Sequence, residues 1–156
     1  MGASGGEIDA ASGVNLTVLG AISGSGSLTV NSSANTGTVT LTPATTSTNT
    51  YSGGTILQNG TLALGINNAM YSLGSYVQTG GTLSMGSFSN TVSSVTVSGN
   101  STLTSTTGVL TSSSTSASSI NFTNALGSNV SVSAILASTG GVTQSGAGNT
   151  DRKSVV

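Results

Sequence analysis

The sequence predicts an all-β protein built as a solenoid, in which short strands wind into coils and the coils stack. Three observations carry this reading. Val, Leu and Ile recur at every second position over runs of about four residues, which puts one face of each run on a core and the other in water. Gly-Gly and Asn-Gly pairs punctuate the runs and supply the backbone angles of tight turns. A Gly-Thr-[Leu/Val] step opens strands at Gly37-Thr38-Val39, Gly60-Thr61-Leu62 and Gly81-Thr82-Leu83, with a looser copy at Gly26-Ser27-Leu28. Intervals of about 20 residues between such copies fit one coil of a solenoid. A β-sandwich is the competing arrangement.

Taken in order, the first strand patterns fall at Val14–Leu19 and Ser27–Val30, with turns at Ser12-Gly13 and across Ser23-Gly24-Ser25-Gly26. The central stretch runs from Gly37 to Gly65. In it, Val39 and Leu41 alternate with Thr38, Thr40 and Thr42, and Leu62 and Leu64 alternate with Thr61 and Ala63. Between them lie a turn from Asn49 to Thr55, a short strand at Thr55–Gln58 and the Asn59-Gly60 turn. Further strands are expected at Tyr76-Val77 and Thr82–Met85 around Gly80-Gly81, then at Thr91–Ser98 and Ser101–Thr104 around Gly99-Asn100. The last clear patterns are Val109–Thr111, Ile120–Phe122, Val130–Ile135 and Val142-Thr143. No segment keeps a helical period over three turns. Asn67–Leu73 comes nearest and reads as a loop or a single turn.

Stacking is an energetic requirement for such a chain. Each buried Val or Leu contributes about 1.5–3 kcal/mol, whereas ordering each residue costs about 1–2 kcal/mol of backbone entropy. One coil with a few inward side chains cannot stand alone, and at least about three must stack. The Ser/Thr-rich part beyond Ser112 is expected to be the least ordered. Open ladder edges favour end-to-end self-association.

Composition narrows the function classes. Charged residues make up 3% of the chain, against about 25% in ordinary soluble domains. They are Glu7, Asp9, Asp151, Arg152 and Lys153, so Ala10 to Thr150 carries no formal charge. A nucleic-acid partner needs Lys and Arg against phosphate, and the body of the chain has neither. There is no Cys, hence no disulfide or thiol chemistry. No apolar run approaches the about 18 residues of a membrane helix. The chain opens without the basic start and apolar stretch of a signal peptide. Either the protein is cytoplasmic or the chain is a fragment of a longer one, and the fragment reading is the one preferred.

Thr50-Tyr51-Ser52-Gly53-Gly54-Thr55-Ile56, followed by Asn59-Gly60-Thr61-Leu62-Ala63-Leu64-Gly65, closely resembles the passenger-associated repeat of bacterial autotransporters. Gly37-Thr38-Val39-Thr40-Leu41 fits the start of that repeat. Two flanks fit it as well, Glu7-Ile8-Asp9 through Leu28 and Gly80-Gly81-Thr82-Leu83 through Ser98-Gly99. The match covers Gly6 to Gly99, and beyond it only composition continues. The chain departs from the family at Pro43 to Thr48, which is longer than the usual link. Pro43 cannot donate to a ladder and belongs in that loop or at a strand end.

The resemblance implies a right-handed parallel β-helix and type V secretion. In that route a C-terminal outer-membrane β-barrel, belonging to the parent chain, carries the passenger to the cell surface. The repeat would assist passenger folding and export. Residues 1–150 then form a passenger segment centred on 37–65. Residues 151–156 (DRKSVV) break the charge-free pattern abruptly and resemble a translated sequencing adaptor, that is, read-through.

No catalytic, cofactor or metal site is expected. Glu7 and Asp9 face one side of a strand if both lie on it, yet no base, pocket or third group supports catalysis. Ser and Thr are abundant, but a nucleophile needs an activating base, and the chain has no His. Gly24–Ser27 lacks the following Lys and helix of a phosphate loop and reads as a turn. Calcium-binding glycine repeats need Asp, which these turns lack. Asn15, Asn59 and Asn121 begin glycosylation triplets, as a Thr-rich chain does by chance. Tyr51 reads as a packing residue beside Gly53-Gly54. Two functional readings remain: a non-catalytic stalk segment of a surface-displayed passenger, and an adhesin-type module contacting a host or glycan surface through Thr, Ser and Asn ladders such as Thr38/Thr40/Thr42.

Overall fold

A computed structural model describes residues 1–32 and 34–152. The described chain winds through seven coils. The first holds β1 (Gly6–Ile8), β2 (Asn15–Val18) and β3 (Ser23–Gly24). The second holds β4 (Leu28–Val30), β5 (Thr38–Leu41) and β6 (Thr50–Tyr51), and the third holds β7 (Thr55–Leu57) and β8 (Thr61–Leu64). The fourth comprises β9 (Tyr76–Gln78), β10 (Gly81–Ser84) and β11 (Asn90–Val92). The fifth comprises β12 (Val95–Val97), β13 (Ser101–Thr104) and β14 (Val109–Ser112). The sixth has β15 (Ile120–Phe122), β16 (Asn129–Val132) and β17 (Ile135–Ser138), and the seventh has β18 (Val142–Gln144) and β19 (Asn149–Arg152).

Corresponding strands stack into sheets. The first runs β1-β4-β7-β9-β12-β15-β18 and the second β2-β5-β8-β10-β13-β16-β19. The third side is interrupted: β3 pairs with β6, and β11-β14-β17 form a separate sheet, with no strand of the third coil between them. Every ladder between named strands is parallel, for example β5 with β8 and β9 with β12. This is a parallel β-helix, and the sandwich alternative, which needs antiparallel sheets, falls.

Side-chain alternation fills the interior with ladders. On the second sheet Val39, Leu62, Leu83, Leu103 and Val132 are successive register partners, and all are buried. Outside them run Thr38, Thr61, Thr82, Thr102 and Ser131. On the first sheet two inner columns run Leu28-Thr55-Tyr76-Val95-Ile120 and Val30-Leu57-Gln78-Val97-Phe122. Coil length is set at the corners: Tyr76 and Val95 are register partners 19 residues apart, and Leu28 and Thr55 are 27 apart. The strands keep register because the surplus residues leave at turns.

Several sequence expectations change. Thr91–Ser98 is two strands on two sheets, β11 and β12, bent at Ser93-Ser94. Val130–Ile135 likewise splits into β16 and the start of β17 at Ser133-Ala134. A coil corner of two small residues preserves the period of two, so the bend leaves no mark in the hydrophobic pattern. The looser Gly26-Ser27-Leu28 copy opens β4 on the first sheet, whereas the three strict copies open β5, β8 and β10, which stack on the second. The expected turns at Ser23–Gly26 and Asn49–Thr55 contain β3 and β6, which pair with each other. The strands expected after Ser112 at Ile120–Phe122 and Val142-Thr143 are present as β15 and β18. Asp151 and Arg152, assigned to read-through, lie in β19 opposite Ser131 and Val132; Lys153–Val156 lie outside the described residues.

Candidate functional site

Most residues singled out in the sequence have structural roles in the coils. Asp9 follows β1 and holds the next coil: the Ser32 N–H donates to its Oδ1 at 2.8 Å and the Ser32 hydroxyl to its Oδ2 at 3.0 Å. Glu7 points outward on β1 and is exposed. Tyr51 is fully buried, and its hydroxyl shares a 2.7 Å hydrogen bond with Thr55 Oγ1. Burial pushes its phenol up to about 12, against smaller opposing effects from the Thr55 side chain and the Tyr71 backbone. Asn15 is exposed, Asn59 accepts the Gly60 N–H in its turn, and Asn121 accepts the Thr143 hydroxyl at 3.1 Å. Within the Gly24–Ser27 turn, Gly24 has φ 135° and Gly26 is buried. Among the described residues no group of three or more His, Cys, Asp or Glu is placed to hold a metal ion.

The distinctive surface lies where the third sheet is interrupted. Here the third coil passes through Asn67–Met70, with Asn68 at φ 52°, in the left-handed region that a regular strand does not use. Side-chain amides replace the missing ladder. The Ser89 N–H donates to Asn67 Oδ1 at 2.8 Å and the Thr91 N–H to Asn68 Oδ1 at 3.0 Å. Two residues beyond Asn68, the Met70 N–H donates to Asn90 Oδ1 at 2.8 Å. On the other side, the Ile22 N–H donates to Asn49 Oδ1 at 2.6 Å, and Asn49 Nδ2 donates to the Ala69 carbonyl at 2.6 Å. Asn49 and Asn90 are buried. Asn carries an accepting carbonyl oxygen and a donating NH2 group on a short arm, so it satisfies backbone groups that an adjacent strand would otherwise pair.

A cleft of about 350 Å³ opens over this interruption. The long Pro43–Thr48 link contributes Ala44, Thr45 and Thr48, the third coil contributes Ile66, Asn67 and Asn68, and the fourth contributes Phe88. It adjoins a second cleft of about 220 Å³ that shares Thr48 and Asn68 and reaches Met70 and Tyr71. The chain has three Tyr and two Phe. Tyr51, Tyr76 and Phe122 are sealed in the core, while Phe88 and Tyr71 are partly buried and line these two clefts. No charged side chain occurs from Ala10 to Thr150, so the lining is neutral. Sequence reasoning missed this place. Its signals were the overlong Pro43–Thr48 link and the failure of the strand pattern at Asn67–Leu73, which the fold brings together.

No protein-family model, curated protein or solved structure matches this chain.

Proposed function

We propose that the chain is a non-catalytic stalk segment of a surface-displayed autotransporter passenger, and that the stretch from Gly37 to Gly65 assists its folding during export. The observation that carries this reading is the register of the second sheet, where Val39, Leu62 and Leu83 stack as successive partners from one repeated step. In such an array each coil is stabilised by its neighbours and can template the next, so folding can proceed as the chain emerges. The neutral body suits transit in an unfolded state, since no buried ion pair has to be assembled. The motif at Thr50–Gly65 supplies β6, β7 and β8, the end of the second coil and both strands of the third.

The test places the chain between a signal peptide and an autotransporter β-barrel in a Gram-negative host. Proteinase K added to intact cells reads surface exposure, and resistance of the displayed coils reads folding. The expected result is a displayed, protease-resistant segment, and loss of resistance when residues 37–65 are deleted. Equal display and resistance after the deletion would sink the reading.

A second reading, an adhesin face, is favoured by the column Thr38-Thr61-Thr82-Thr102, whose hydroxyl-bearing side chains stand in register on the outer face of the second sheet. Binding of displaying cells to a host or glycan surface, abolished by Thr61→Lys and Thr82→Lys together, would select it over the stalk.

A further inference from the structure

We propose that the cleft over the interrupted third sheet is a binding site for a neutral saccharide, seated against Phe88 and Tyr71. Four observations converge on this ligand class. First, the cleft is built by the fold: the Pro43–Thr48 link lines it beside the third coil, an interior coil with no strand on the third side. Its volume of about 350 Å³ lies within the range of about 300–1,000 Å³ usual for small-molecule sites. Second, both aromatic side chains that the core does not seal lie here. A pyranose ring has an apolar C–H face that packs against an aromatic ring and a rim of hydroxyls that both donate and accept. Third, the polar lining matches that rim, with Thr45 and Thr48 hydroxyls and the amides of Asn67 and Asn68. Each of these amides is fixed through its carbonyl oxygen by a backbone N–H, at 2.8 Å for Asn67 and 3.0 Å for Asn68. The NH2 half is not committed to those bonds, and the amide is pre-oriented, which lowers the ordering cost of binding.

Fourth, the electrostatics exclude the alternatives. A phosphate, carboxylate or ammonium group brought to this lining would lose hydration with no opposite charge to meet it. An acyl chain would cover the NH2 groups of Asn67 and Asn68 and the hydroxyls of Thr45 and Thr48 while offering them no hydrogen bond. A neutral, hydroxyl-rich ring with one apolar face is the chemistry that meets both halves of the lining.

The full chain, isotope-labelled for amide NMR, is titrated with cellohexaose, maltohexaose and N-acetylchitotetraose at millimolar concentration, with oligogalacturonate as the charged comparison. The expected result is saturable shifts for at least one neutral oligosaccharide, clustered at Thr45, Thr48, Asn67, Asn68, Tyr71 and Phe88, and none for oligogalacturonate. Phe88→Ala weakens that binding about tenfold through lost ring contact. Ala44→Trp, on the exposed link and outside the coil ladders, blocks the cleft without touching the core. Thr82→Ala, on the outer face of the second sheet, leaves binding unchanged. Shifts confined to the outer Thr column, saturation by oligogalacturonate, no saturable shift with any of the four, or binding indifferent to both Phe88→Ala and Ala44→Trp would each overturn the proposal. The export reading is tested by surface display and stands or falls separately.

Discussion

Tyr76 and Gln78 are joined inside the solenoid. The Tyr76 hydroxyl donates to Gln78 Oε1 at 3.0 Å, and both side chains are fully buried. Gln78 Nε2 in turn donates to the Gly81 carbonyl at 2.8 Å and to the Thr102 carbonyl at 3.2 Å. The pair therefore ties the first sheet to the second through the core, in the middle of otherwise apolar columns. Gln78→Ala should cost about 2–4 kcal/mol, because it leaves a cavity and strands a buried phenol. Gln78→Leu fills the space but still strands the phenol, so Tyr76→Phe added to it should recover about 1 kcal/mol. Urea midpoints of the four proteins check this; a Gln78→Ala midpoint equal to the parent's would refute it.

The same burial sets an alkaline limit. Burial raises the Tyr76 phenol well above its ordinary value and Tyr51 to about 12. In the unfolded chain both lose their protons near pH 10. From about pH 10 to 12 the folded protein thus holds more protons than the unfolded one, and stability falls as pH rises; below about pH 10 the contribution is fully present. Stability measured at about pH 9 and pH 11 should drop between the two, with a smaller drop for Tyr51→Phe. Equal stability at both values, with no tyrosinate absorbance appearing as the chain unfolds, would contradict this.

Asn49 does by side chain what an adjacent strand would do by backbone. Asn49→Ala leaves the Ile22 N–H and the Ala69 carbonyl without that partner and should cost about 2–4 kcal/mol. Asn49→Asp keeps an acceptor for Ile22 but sets a carboxylate against the Ala69 carbonyl, so it should be no better. A calorimetric melt in which Asn49→Asp matches the parent would show that the Ala69 bond contributes nothing.

Stacking, rather than turn geometry alone, constrains the turn glycines. Gly60 at φ 58° and Gly86 at φ 55° have nearly the same backbone. A Cβ on Gly60 would press on the Asn31 amide and lie 2.5 Å from the Gly37 carbonyl oxygen of the preceding coil, whereas one on Gly86 meets nothing within 4 Å. Alanine at either site pays about 1–2 kcal/mol for the left-handed conformation, and Gly60→Ala should lose more than Gly86→Ala by the cost of the clash. Equal losses in urea unfolding would assign the whole effect to the turn.

The coil architecture was legible because its two signals are local. Alternation in Thr38–Leu41 and Thr61–Leu64 names the inner residues, and the repeated Gly-Thr step names the strands that stack. The corners were not legible. Ser93-Ser94 and Ser133-Ala134 turn the chain onto a new sheet without disturbing the period of two. Strands as short as Ser23–Gly24 have no pattern to read and are strands only because Thr50–Tyr51 lies beside them. The cleft was hidden for a related reason. Phe88 lies far along the chain from Thr45, and only the stacking of the second coil near the fourth brings them to one place.

The neutral body has a further consequence for how this protein is degraded and detected. The chain's two basic residues are Arg152 and Lys153, beyond all but the last residues of the final strand. Trypsin-like proteases, which cut after basic residues, find no bond to cleave from Met1 to Thr150 even when every coil has opened. Tryptic digestion would leave Met1 to Thr150 within one very large peptide, and amine-directed labels would find no lysine anywhere in that stretch.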